Sequence, residues 1–129
     1  MTRRNVHVVG TGTIGEPLIG LLCRFQKEFG IDEVTFHKRT PIAREKAKVE
    51  ALIRRGAKLA VDADVRSDFE ALGHRPVYNN DEAMARAAVV IDCTPAGNAN
   101  KERIYQHVDG PRGFIAQGSE FGFGKMYAR

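Results

Sequence analysis

The chain has 129 residues, 43% of them hydrophobic and 28% charged, with a net charge of +4 from 20 basic and 16 acidic residues. That is enough for one globular domain with its own core. Two cysteines, Cys23 and Cys93, make no disulfide framework or zinc spacing, no apolar stretch nears the ~18 residues that span a bilayer, and the small basic excess suits an anionic ligand without arguing for nucleic acid.

Arg3 and Arg4 lead directly into a strand-like run, not an apolar signal region, and no internal repeat or low-complexity segment follows. With the cysteine usage, this predicts a protein of the reducing cytoplasm. Val6 to Val9 reads as a buried parallel strand interrupted by His7, which is expected to be a hydrogen-bonded or edge histidine. Gly10-Thr11-Gly12-Thr13-Ile14-Gly15 is a glycine turn. The run Glu16 to Phe29 then predicts a helix with an inner face of residues 14, 18, 21, 22, 25 and 29, Pro17 in its first turn and Gly30 as its stop.

Val34 to His37 reads as the second strand. Thr40 as N-cap and Pro41 at the first position predict a second helix to about Arg55, ended by Gly56. Its inner face would be Ile42, Val49, Leu52 and Ile53, and its basic outer face (Arg44, Lys46, Lys48, Arg54) reads as solvated. Lys58 to Val61 reads as a third strand, Asp68 to Leu72 as a short helix and Pro76 to Tyr78 as an extended segment. A helix capped at Asn80 to Glu82 runs to about Ala87, and Ala88 to Cys93 is a buried strand. Thr94 to Gly97 is a turn, Asn98 to about His107 a helix, Asp109 to Pro111 a turn and Phe114 to Gln117 the last strand.

Strands alternating with helices predict an α/β fold of Rossmann type, a mostly parallel sheet with helices on both faces. Ligands of such sheets bind at the carboxyl ends of the strands, where the strand order reverses. Three loops should meet there: 10–15, 37–41 and 94–97, with Gln117 and Gly118 beside them. The pattern GxGxxG between strand and helix is a dinucleotide cradle. Gly10 allows the tight turn, Gly12 lets a pyrophosphate approach and Gly15 lets the helix lie close to the strand. The second strand ends in His37-Lys38-Arg39-Thr40, with no acid. Lys38, Arg39 and the Thr40 hydroxyl would attract a 2′-phosphate, so NADP is the preferred cofactor and NAD the alternative. Cys93 has no neighbouring group in sequence that would activate it, so no catalytic residue is assigned.

These motifs fall into one pattern. Gly10 to Gly15 resembles the GxGTIG turn of archaeal-type glyceraldehyde-3-phosphate dehydrogenases. His37 to Pro41 is similar to that family's Lys/Thr-rich segment before proline. Asp92 to Gly97 resembles its D-A-T-P-x-G turn, and Ile115 to Glu120 its F-Q-G-G-E strand end. The resemblance implies a phosphorylating, NAD(P)-dependent oxidation of glyceraldehyde 3-phosphate to 1,3-bisphosphoglycerate by a cytoplasmic homotetramer in central carbon metabolism. It implies cofactor contacts at Thr13, Ile14, Lys38, Arg39, Thr40 and Gly118. Thr94, Pro95, Gly97 and Gln117 complete the expected set beside Gly10, Gly12 and Gly15.

The sequence departs from the family at Val9, Thr11 and Cys93, and it holds no Ser-Cys-Asn motif of the kind that carries the family's nucleophile. Residues 1–119 are therefore expected to form the NAD(P)-binding domain, and 120–129 to begin a connection to a catalytic domain not present in the chain. Glyceraldehyde 3-phosphate would be a partner only with that domain, and neither nucleic acid nor a membrane is expected. Other readings are the cofactor domain of a homoserine or aspartate-semialdehyde type oxidoreductase, and a stand-alone nucleotide-binding module without catalysis.

Overall fold

The computed structural model describes residues 4–94 and 113–116. Its strands are β1 (Asn5–Val9), β2 (Glu33–His37), β3 (Lys58–Val61), β4 (Tyr78–Asn79), β5 (Val89–Asp92) and β6 (Gly113–Ala116). The helices among the described residues are α1 (Gly15–Arg24), α2 (Lys46–Arg54), α3 (Arg66–Ala71) and α4 (Asn80–Arg86). The six strands form one sheet in the order β4-β3-β2-β1-β5-β6, and every pairing is parallel. This is the α/β, Rossmann-like architecture that the alternation predicts. The chain steps outward from β1 through β2, β3 and β4, then returns to β5 on the other side of β1. The order reverses between β1 and β5, so the chain leaves these two neighbouring strands in opposite directions.

Alternation along the strands sends side chains to two faces. On one face Val8, Val34, Phe36, Leu59 and Val61 pack with Ile19, Val49, Leu52 and Phe69 from α1, α2 and α3. On the other, Val9, Val90, Phe114 and Ala116 pack with Met84 of α4. Each fully buried side chain of this size contributes ~1.5–3 kcal/mol. α4 starts on a capping arrangement in which Glu82 accepts from the Asn79 N–H at 3.0 Å. At the amino edge Glu33 accepts from Lys58 at 2.8 Å and from Tyr78 at 3.1 Å, tying β2, β3 and β4 together.

The first helix differs from its sequence reading in length and in phase. It ends at Arg24, and Phe25 to Gly30 form turns that close with Gly30 at φ +67°. Its buried residues are Gly15, Ile19 and Gly20, with Leu18, Leu22 and Cys23 beside them. Ile14, Leu21 and Phe29 are exposed, so the inner face is turned by about one residue from the predicted one. The cause is Gly15, which must face the strand end and carries Ile19 inward one turn later. Arg55 covers Gly20, where any Cβ would meet its guanidinium.

The second helix also starts later. Residue 42 is still extended, a 3₁₀ turn covers Ala43–Glu45, and α2 begins at Lys46. Thr40 and Pro41 therefore precede the helix without capping it. Ile53 is 37% exposed and leaves the inner face to Val49 and Leu52. The expected helix 98–107, the turn 109–111 and the tail 120–129 lie outside the described residues. Among the described residues no helix is long and apolar enough to cross a membrane.

His7 sits in the middle of the sheet and is fully buried. Its Nδ1 lies 2.6 Å from Thr35 Oγ1 and its Nε2 2.8 Å from Asn80 Oδ1. A neutral ring satisfies both contacts: Nε2–H donates to Asn80 and the Thr35 hydroxyl donates to Nδ1. Burial pushes the ring down to about 4, against the Asn80 hydrogen bond and with the charge of His37. The fold thus keeps neutral a ring that the unfolded chain protonates near its ordinary value. This contribution is complete above pH ~6.5 and is lost as pH falls toward about 4, a cost of roughly 3 kcal/mol. His74, buried and also pushed down by burial, acts in the same direction. Urea unfolding followed from pH 7 to pH 4.5 should therefore show falling stability, and His74→Asn should retain most of the fall. A flat profile would refute the neutral, buried assignment of His7.

Candidate dinucleotide site

The glycine turn, the end of β2 and Thr94 meet at the carboxyl edge. Gly10 has φ +103° and its N–H donates to the His37 carbonyl at 3.3 Å, which joins the first loop to the end of β2. A Cβ on Gly10 would lie 3.0 Å from Thr94 Cγ2, so Thr94, just after β5, packs on the same glycine. A Cβ on Gly15 would run into the Gly10 carbonyl oxygen and lie 3.5 Å from Cys93 Cβ. The turn is thus packed on both flanks by the ends of β2 and β5. Thr94 is held in turn by Asp92, whose Oδ1 accepts from its N–H at 2.7 Å and from its hydroxyl at 2.6 Å.

Gly12 is different from its neighbours. Its φ is not positive, and a Cβ there would meet nothing within 4 Å. Gly12, Thr13 and Ile14 are exposed above the start of α1, where no side chain caps the helix. An uncapped helix N-terminus beside an open glycine offers backbone N–H groups and a positive dipole end to an anion.

The second loop faces acids that lie outside it in sequence. Lys38 is buried, and its Nζ donates to Glu45 Oε1 at 2.5 Å. That hydrogen bond, with the charges of Lys38 and Lys48, holds the Glu45 carboxyl below its ordinary value. His37 contacts Asp62 at 3.1 Å, an interaction that holds Asp62 down as well. Arg39 and Thr40 are exposed. Lys48 does not belong to a merely solvated face. Its Nζ donates to the Thr11 carbonyl at 3.0 Å and lies 3.9 Å from Glu16 and 4.0 Å from Glu45. Neither Glu45 nor Lys48 stands out by motif. The i, i+3 spacing of Glu45 and Lys48 after a basic strand end is the one sequence signal that links them.

Of the residues expected at the site, Gly10, Gly12, Thr13, Ile14, Lys38, Arg39, Thr40 and Thr94 lie on the connections that leave β1, β2 and β5 at the carboxyl edge, Gly15 is the first residue of α1, and the contacts above knit the glycine turn to the end of β2 and to Thr94. Pro95, Gly97, Gln117 and Gly118 lie outside the described residues. β6 ends at Ala116, paired with Asp92, at the same edge. No protein-family model matches the chain.

Cys93 is buried, and its thiol is pushed up to about 11 by that burial and by the Asp92 charge. At pH 8 about one molecule in a thousand would carry the thiolate. Alkylation of Cys93 by iodoacetamide at pH 8, read by peptide mass spectrometry, should be far slower than that of free glutathione. Labelling at or above the glutathione rate would show that the thiol is activated and reopen it as a nucleophile.

Proposed function

We propose that this chain is an NAD(P)-binding domain, and that it serves a phosphorylating dehydrogenase of the glyceraldehyde-3-phosphate type. Gly12 carries the binding part of this reading. Folding asks for glycine at position 10, where φ is positive, and at position 15, where a Cβ would meet a carbonyl. It asks for nothing at position 12, whose Cβ would point into open space. A glycine that the fold does not need, above an uncapped helix start, suits the close approach of a pyrophosphate.

The residues fit the cofactor. Gly12, Thr13 and Ile14 would hold the pyrophosphate, and Gly10 and Gly15 keep the turn close to the strand ends. Lys38, Arg39 and Thr40 stand at the end of β2, where the adenosine ribose is held in such sheets, and their charge favours NADP over NAD. Thr94 closes the site from β5, as Pro95, Gly97, Gln117 and Gly118 would from the neighbouring segments. The bound nicotinamide would supply hydride acceptance. This chain's part is to bind and orient it; burial and the Asp92 charge push the Cys93 thiol up, away from the thiolate that a nucleophile needs. The dehydrogenase class rests on the four motifs in order, and glyceraldehyde 3-phosphate belongs to the reading together with a catalytic domain. A cytoplasmic setting is part of the same proposal, supported by two unpaired cysteines.

Two substitutions separate the roles of the glycines. Gly12→Ala should leave the melting temperature near that of the parent and weaken dinucleotide binding by tenfold or more in calorimetric titration. Gly15→Ala should cost ~1–3 kcal/mol of stability through overpacking against a backbone atom. Unchanged affinity in Gly12→Ala would remove the observation on which the binding assignment stands.

A further inference from the structure

The Lys38–Glu45 contact stands directly after β2, on the edge that the preceding reading gives to the adenosine ribose. Lys38 reaches it from the strand end and Glu45 from the 3₁₀ turn before α2. Lys48, one helical turn on, continues the line to the Thr11 carbonyl and to Glu16 in the first turn of α1. Two ammoniums and two carboxylates thus alternate from the end of β2 to the glycine turn. Their sum is zero, although the chain as a whole is basic. A charged group already held by a close opposite charge has less to offer an incoming phosphate.

From this arrangement we infer that Glu45 sets the choice between NADP and NAD by occupying Lys38. The inference rests on the dinucleotide reading above and deepens it. A 2′-phosphate has to displace Glu45 from Lys38 and meets the repulsion of the freed carboxylate. A 2′-hydroxyl does neither, and it can donate to a carboxylate as riboses do at acid-bearing sites of this fold. Position 45 therefore acts against the attraction of Lys38, Arg39 and Thr40 for NADP. It lies eight residues beyond β2, so a search for an acid at the strand end passes over it. The held-down carboxyl of Glu45 agrees with a charge engaged in this way.

Titrating the full chain with NADP and with NAD gives the ratio of affinities, which is insensitive to a loss of folded fraction common to both. Glu45→Gln should raise the ratio in favour of NADP by about tenfold or more, the worth of one released charge-assisted hydrogen bond. Adding Lys38→Gln should abolish that gain. Glu45→Asp, one methylene shorter, should move the ratio in the same direction and serves if the glutamine variant does not fold. An unchanged ratio in these variants, or a gain that survives the loss of Lys38, overturns the role of Glu45 while leaving dinucleotide binding intact. Binding of neither cofactor by the parent chain overturns the dinucleotide reading and this inference with it.

Discussion

The contact between Gly15 and the Gly10 carbonyl governs the geometry of the carboxyl edge. There is no room for a side chain at the start of α1, because the helix begins in contact with the turn that leaves β1. This close approach fixes the rotation of the helix as well as its distance. With Gly15 turned to the strand, Ile19 falls into the core and Ile14 is left exposed above the helix start. The same turn receives Thr94 and Cys93 from β5 and bonds to His37 from β2. One packing constraint therefore orients the first helix and gathers the ends of three neighbouring strands.

The sheet solves a different problem at His7. An imidazole at its centre would cost several kcal/mol if it were charged or unpaired. Thr35 on β2 and Asn80 at the start of α4 satisfy both ring nitrogens. The polar residue then helps to dock α4 on its face of the sheet, beside Met84 and Phe114. The opposite face has a larger apolar cluster and three helices to cover it. A buried network of this kind holds only if every member is satisfied, so it specifies one register of α4 against β1 and β2.

Charge at the carboxyl edge is balanced locally. Of the basic residues that mark residues 37–48 as cationic in sequence, His37, Lys38 and Lys48 are met by Asp62, Glu45 and Glu16. Lys38 and His37 are buried and each faces a carboxylate, while Arg39 remains exposed. The positive field at this edge is thus weaker than a count of lysines and arginines implies.

Much of the architecture is legible in the residue order. Short runs of Val, Ile and Phe place β1, β2, β3, β5 and β6 within a residue or two. Gly10, Gly15, Gly30 and Gly56 mark real turns and close contacts, because backbone conformation and strand burial are local properties that a few adjacent residues decide. The helices are less legible. Residues 14, 21 and 29 have helical spacing with 18, 22 and 25, yet periodicity alone does not say which of two adjacent stripes faces the sheet. Thr40-Pro41 has the form of a helix start, but Ile42 is still extended and the first helical turn begins only at Ala43. Beyond the i, i+3 spacing of Glu45 and Lys48, the partnerships of the candidate site are not legible. Lys38 with Glu45, Lys48 with Thr11 and His37 with Asp62 join residues 7 to 37 positions apart. Sequence by itself determined β1, β2, β3, β5 and β6 and the glycine turn that follows β1. Only the tertiary structure decided how the helices rotate and which charges meet at the carboxyl edge, since both follow from packing between segments that the linear order keeps apart.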